Sequence, residues 1–114
     1  MKRFASHYVY TPSLGFLKQH VVEINDEGVV TAIFRLEEET ESIIWTPGII
    51  RLLPHDCLPE QALTFEKPEI RTDAVEYKSM DSLKLSAVRL YPFNFSEMKA
   101  TTDTVIQLLD NSVF

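Results

Sequence analysis

Apolar and polar positions alternate along the first part of this chain. Phe4, Ser6, Tyr8 and Tyr10 share one parity and Ala5, His7 and Val9 the other, so residues 3–10 predict a strand partly covered on both faces. Thr11-Pro12-Ser13 ends it, because proline has no N–H to give to a ladder. Two β-branched runs follow, Leu17 to Ile24 and Val29 to Leu36, on either side of Asn25-Asp26-Glu27-Gly28. Asn and Asp bond their own backbone in turns and glycine takes positive φ freely, so residues 17–25 and 29–36 predict a hairpin. Residues 43–45 and 49–53 predict two short apolar strands interrupted at Pro47-Gly48. Residues 60–70, with Pro68, read as an irregular link. Residues 70–78 and 84–91 alternate again around Met80-Asp81-Ser82.

The pattern changes after Pro92. Met98, Thr102, Val105, Ile106 and Leu109 recur at helical spacing, and Asn94 with Glu97 has the spacing of a capping pair. The expectation is a helix over 94–110 laid across an open sheet face. Thr101, Thr102 and Thr104 are weak helix formers, so that helix depends on the sheet. The predicted fold class is mainly β: a small β-sandwich or rolled sheet with one C-terminal α-helix, as a single domain over 1–114.

Composition narrows the function classes. A chain of 114 residues with 45% hydrophobic content, seven Phe and four Tyr can build a core without a metal or disulfide. Three glycines leave no glycine-rich phosphate loop. A net charge of -6 disfavours contact with phosphate backbones and anionic lipids, so neither nucleic acid nor membrane is an expected partner. Lys2-Arg3 runs straight into strand-like residues, unlike a secretion signal, and no stretch approaches the roughly 20 apolar residues of a membrane span. Cys57 is the single cysteine, which fits a reducing compartment; a soluble, cytoplasmic protein is expected.

Residues 1–55 resemble the opening of amidohydrolase-superfamily enzymes. The resemblance rests on the aromatic-rich stretch Phe4–Tyr10, the strands Leu17–Leu36 around Asp26-Glu27-Gly28, the acidic stretch after Leu36, and Pro47-Gly48-Ile49-Ile50. In that family a small β-domain precedes a (β/α)8 barrel, and a His-x-His metal pair follows the Pro-Gly entry. The corresponding positions here are Leu53 and His55, and leucine cannot ligate a metal. An eightfold barrel needs roughly 250 residues. The resemblance therefore implies the accessory β-sandwich without the catalytic barrel, with residues 70–91 supplying its later strands. No cofactor and no metal are expected.

The one cluster with chemical potential is His55-Asp56-Cys57, where His55 and Cys57 are weak candidates for a nucleophile–base pair. Neighbours on a loop rarely aim at one point, so a structural role is the default. Glu37, Glu38, Glu39 and Glu41 read as a solvated linker. Asp73 and Glu76 fall on opposite parity, which argues against an acid/base pair. His7 and His20 read as strand histidines with hydrogen-bond partners, and Trp45 as a core or boundary residue. Tyr91, Phe93 and Phe95 are candidate interface residues, since aromatics concentrate in interface cores. The expected function is a non-catalytic protein-interaction or self-association module, its partner unknown or a homo-oligomer. The alternatives are a small-molecule binding module and, behind it, a small hydrolase or thiol enzyme using His55 and Cys57.

Overall fold

The computed structural model describes residues 2–37, 42–54 and 59–110. In chain order the strands are β1 (Lys2–Ala5), β2 (Tyr8–Thr11), β3 (Gly15–Lys18), β4 (His20–Ile24), β5 (Val30–Arg35), β6 (Ile43–Trp45), β7 (Ile49–Pro54), β8 (Ile70–Arg71), β9 (Leu85–Asn94) and β10 (Lys99–Leu109). Short 3-10 turns lie at Pro59–Leu63 and Met80–Leu83. The strands form a four-stranded sheet, β5-β4-β1-β6, and a six-stranded sheet, β10-β9-β7-β2-β3-β8. The mainly β expectation holds.

One ribbon builds both sheets. β1 pairs antiparallel with β4 in the small sheet, and β2 pairs antiparallel with β3 in the large one. The ribbon bends between them. The Ser6 hydroxyl donates to Tyr8 O at 2.6 Å, Gln19 N–H donates to His7 O at 3.3 Å, and Gln19 takes φ 57°. The single strand expected over 3–10 and the run from Leu17 to Ile24 are thus each divided in two. Alternation survived the bend because both halves are covered, Ser6 itself being fully buried. The next segment repeats the move, with β6 parallel to β1 and β7 parallel to β2. Gly48 makes this second crossing possible: it has φ +84°, and a Cβ there would sit 2.1 Å from Leu90 O.

The expected hairpin is present as β4–β5. Asn25 Oδ1 accepts the N–H groups of Glu27 and Val29 at 2.9 and 3.1 Å, and Gly28 takes φ +80°. Residues 70–78 form a strand only at Ile70–Arg71. Farther along, Val75 is buried between exposed neighbours without a ladder, and Tyr77 makes one bridge to Ile33.

The core has two layers. Phe4, Val22, Ile24 and Val30 of the small sheet pack on Val9, Leu17, Ile50, Leu52 and Leu109 of the large one. The other face of the large sheet carries Tyr10, Phe16, Ile49, Leu53, Leu90 and Phe93, covered by Ala62 and Phe65. Strands buried on both faces read as continuous apolar runs, which explains Ile49-Ile50-Arg51-Leu52-Leu53.

The C-terminal helix does not form. Residues 94–110 are the end of β9, a turn and β10. Asn94 and Glu97 do pair, but Asn94 Oδ1 accepting the Glu97 N–H at 3.0 Å closes the turn of a hairpin. β10 then advances from Ala100 to Val105 while β9 advances only from Phe93 to Tyr91. In this bulge the Thr101 N–H donates to Thr104 Oγ1 at 2.8 Å, and that hydroxyl donates to Pro92 O at 2.6 Å. The bulge breaks strand parity, leaving residue spacings that imitate a helical stripe. Three threonines, Val105 and Ile106 are β-branched, and β9 offers them an open ladder.

Candidate functional site

β9 places the three expected interface aromatics differently. Phe93 is 8% exposed and belongs to the core layer with Phe16, Phe65 and Leu90. Expected at an interface, it packs in the core of the chain instead of standing at its surface, its ring 5.6 Å from Phe65 and 5.3 Å from Phe95. Tyr91 and Phe95 are 44% and 40% exposed. Tyr91 stands opposite Val105 of β10, itself 63% exposed.

Phe95 leads to a surface that sequence reasoning missed. His7 sits in the bend between β1 and β2, and its ring meets Trp45 and Phe95 edge-on, with centroids 5.1 Å away in both cases. Tyr8 adds a tilted contact to Phe95 at 6.1 Å. Trp45 ends β6 at the margin of the small sheet and is 50% exposed, so of the two readings, core or boundary residue, the core one does not hold. The result is a chain of rings, Trp45–His7–Phe95–Phe93, running from solvent into the core. The buried end holds the exposed rings in place. No local signal joins these residues, because they meet only after the ribbon has changed sheets.

The remaining candidates fall elsewhere. His55, Asp56 and Cys57 lie outside the described residues, as do Glu38, Glu39 and Glu41. Among the described residues no three His, Cys, Asp or Glu side chains are grouped to hold a metal ion. Asp73 is bonded by Arg71, at 2.7 Å from Nη2 and 3.1 Å from Nε, while Glu76 pairs with Lys78. The Arg71 hydrogen bond holds the Asp73 carboxyl below its ordinary range, and the same bond raises Arg71. His20 is fully buried: Nδ1–H donates to Lys18 O at 2.8 Å, and Nε2 accepts Val75 N–H at 3.0 Å. Burial pushes its pKa below 6.5 against the bond to the Lys18 carbonyl, so it is held neutral.

Two further features have no counterpart in the sequence reading. Arg51 is 4% exposed, stacked over Tyr10 at 4.7 Å and Phe65 at 5.3 Å, and its Nη1 donates to the carbonyls of Ala62 and Thr64. It fixes the segment that covers the large sheet. The second is an open groove of about 920 Å³ between the small sheet and residues 74–81. Arg3, Glu23, Phe34 and Arg35 line one side, and Glu76, Lys78 and Asp81 the other. Glu23 there is organised from two directions, receiving Arg3 Nε at 3.0 Å and the Thr31 hydroxyl at 2.9 Å.

No family model matches the chain, and no similar protein was found among curated proteins or solved structures. No helix among the described residues is long and apolar enough to cross a membrane.

Proposed function

We propose that this chain is a non-catalytic contact module, a β-domain that acts by binding a protein partner or a second copy of itself. The observation that carries the reading is the exposed ring cluster: Trp45 at 50% and Phe95 at 40% exposure, held apart by His7 and backed by buried Phe93. Rigid aromatics lose little conformational freedom on binding, which is why they concentrate at binding hot spots. The resemblance of residues 1–55 to the opening of amidohydrolase-superfamily enzymes belongs to the same reading, as an accessory β-sandwich acting through contacts. A cytoplasmic location is part of this proposal.

The test is affinity capture of the tagged chain from its host at physiological salt, beside Trp45→Ala and Phe95→Ala. The reading expects a stoichiometric associate, a partner or another copy, which at least one of the two substitutions reduces at unchanged thermal stability. A wild-type chain that recovers nothing and stays monomeric would overturn it.

The groove supports a second reading, a small-molecule binding module. Its volume lies within the range of ligand clefts, and paired charges of both signs over Phe34 suit a zwitterionic ligand. A thermal-shift series with free amino acids and short peptides tests this. The expected stabilisation is lost in Arg3→Gln, and no stabilisation by any of them sinks the reading.

A further inference from the structure

We propose that two copies of this chain pair edge to edge, β10 against β10 and antiparallel, about a two-fold axis at Gln107. The inference gives the contact module proposed above a second surface, distinct from the ring cluster, through which it self-associates, and it rests on that reading.

Among the described residues, β10 is the one long sheet edge left unpaired. β5, at one edge of the small sheet, is bridged by Tyr77 through Ile33; the opposite edge strand β6 has three residues, and β8 of the large sheet has two. An open edge presents a row of backbone donors and acceptors, and proteins that stay single blunt such edges with charge, proline or bulges. β10 does so only in its first half, where Asp103 sits in the bulge. From Val105 to Leu109 the strand pairs regularly with Tyr91 to Ala87 and carries no charge. Its exposed apolar side chains lie on both faces, Val105 at 63% and Leu108 at 51% exposure.

This five-residue stretch is complementary to itself. A two-fold axis at Gln107 sets Val105 opposite Leu109 of the second copy and Ile106 opposite its Leu108. Side-chain parity is preserved, so apolar meets apolar on each face of the joined sheet. Tyr91, beside Val105, widens the covered surface on one face. The charge distribution favours the same arrangement. Each copy carries -6, so two copies repel over most approaches, whereas the uncharged strip lets ladder hydrogen bonds form with no acid facing another. Asp110 falls opposite Thr104 of the second copy. Isologous pairing closes on itself and leaves neither copy with a free β10 edge.

Sedimentation equilibrium of the full chain, from micromolar to millimolar concentration, tests the proposal. The expected particle has twice the 13.1 kDa chain mass. Val105→Lys and Leu108→Lys, both at exposed positions, return it to the single-chain mass with unchanged circular dichroism. Glu66→Gln, the same unit charge change as either lysine but elsewhere on the surface, leaves the dimer intact. Amide exchange of residues 105–109 in the wild type slows as concentration rises, a readout that needs no variant to fold. A wild type that stays monomeric throughout, a dimer that survives both lysines, or an open-ended polymer overturns the proposal. If the wild type is monomeric yet captures a Trp45- or Phe95-dependent partner, edge pairing falls and the contact-module reading stands. If it is monomeric and captures nothing, both fall.

Discussion

His20 Nε2 accepts the backbone N–H of Val75 at 3.0 Å, across 55 positions of sequence. The bond ties β4 to the segment that runs along the edge of the small sheet and forms one wall of the groove. It requires the neutral ring, because the proton already on Nδ1 is committed to Lys18 O. With the folded pKa held below 6.5 by burial, protonation costs more in the folded chain than in the unfolded one. Stability is therefore full above pH 6.5 and declines as pH falls from there toward the folded pKa, by at most about 1.4 kcal/mol per pH unit. Urea unfolding followed from pH 7.5 to pH 5.5 checks this, the expected result being a lower midpoint at the acid end.

Replacing His20 with Phe removes both the acceptor and the titration. The buried Val75 N–H is left without its partner, at a cost of about 1–3 kcal/mol at neutral pH. The His20-dependent part of the acid slope disappears with it. A variant that keeps the full wild-type slope would assign the pH dependence to another group.

Gly48→Ala addresses the crossing between the sheets. The added Cβ meets Leu90 O at 2.1 Å in a backbone with φ +84°, so β7 and β9 have to separate or the turn has to rebuild. A loss of about 2–4 kcal/mol in denaturant unfolding is expected.

The two neighbouring aromatics at the end of β9 separate core from surface. Phe93→Ala empties a buried site between Phe16, Phe65 and Phe95, and the expected loss is about 3–4 kcal/mol. Phe95→Ala trims a side chain that is 40% exposed; its expected loss is under about 1 kcal/mol. Paired thermal melts of the two variants give the contrast directly.

Arg51→Leu tests whether the buried guanidinium fastens the cover of the large sheet. Without its Nη1 the carbonyls of Ala62 and Thr64 lose a charged donor. Amide exchange across 62–67 is expected to accelerate at least about tenfold, equivalent to about 1.4 kcal/mol of local stability. Exchange in β4 and β5 should stay unchanged. Lysine at this position is expected to restore little, because an ammonium does not reproduce the planar guanidinium packed on the Tyr10 and Phe65 rings.

The legibility of this chain was uneven for identifiable reasons. The Asn25–Gly28 turn, the Pro47-Gly48 interruption and the apolar run of β7 were readable because each is a local arrangement: a side chain capping its own backbone, a residue free to take positive φ, a strand covered on both faces. The terminal helix was misread because the bulge at 101–104 erased the alternation that marks a strand. Its capping signal was real chemistry in a different setting, since an Asx side chain closes a hairpin turn with the same bond that starts a helix.

By itself the sequence determined the class and the local punctuation: a β-rich chain, acidic overall, with its turns at Asn25–Gly28 and Pro47-Gly48. Those are consequences of backbone sterics and short-range hydrogen bonding, which act within a few residues. Tertiary structure alone decided the rest. It placed His7 against both Trp45 and Phe95, sent Phe93 inward and Tyr91 outward, and set Arg51 against the rings of Tyr10 and Phe65. It also left the second half of β10 as an uncharged open edge. Each of these depends on where the ribbon bends from one sheet to the other, and that is set by mutual burial of distant strands, a quantity that no single stretch of sequence contains.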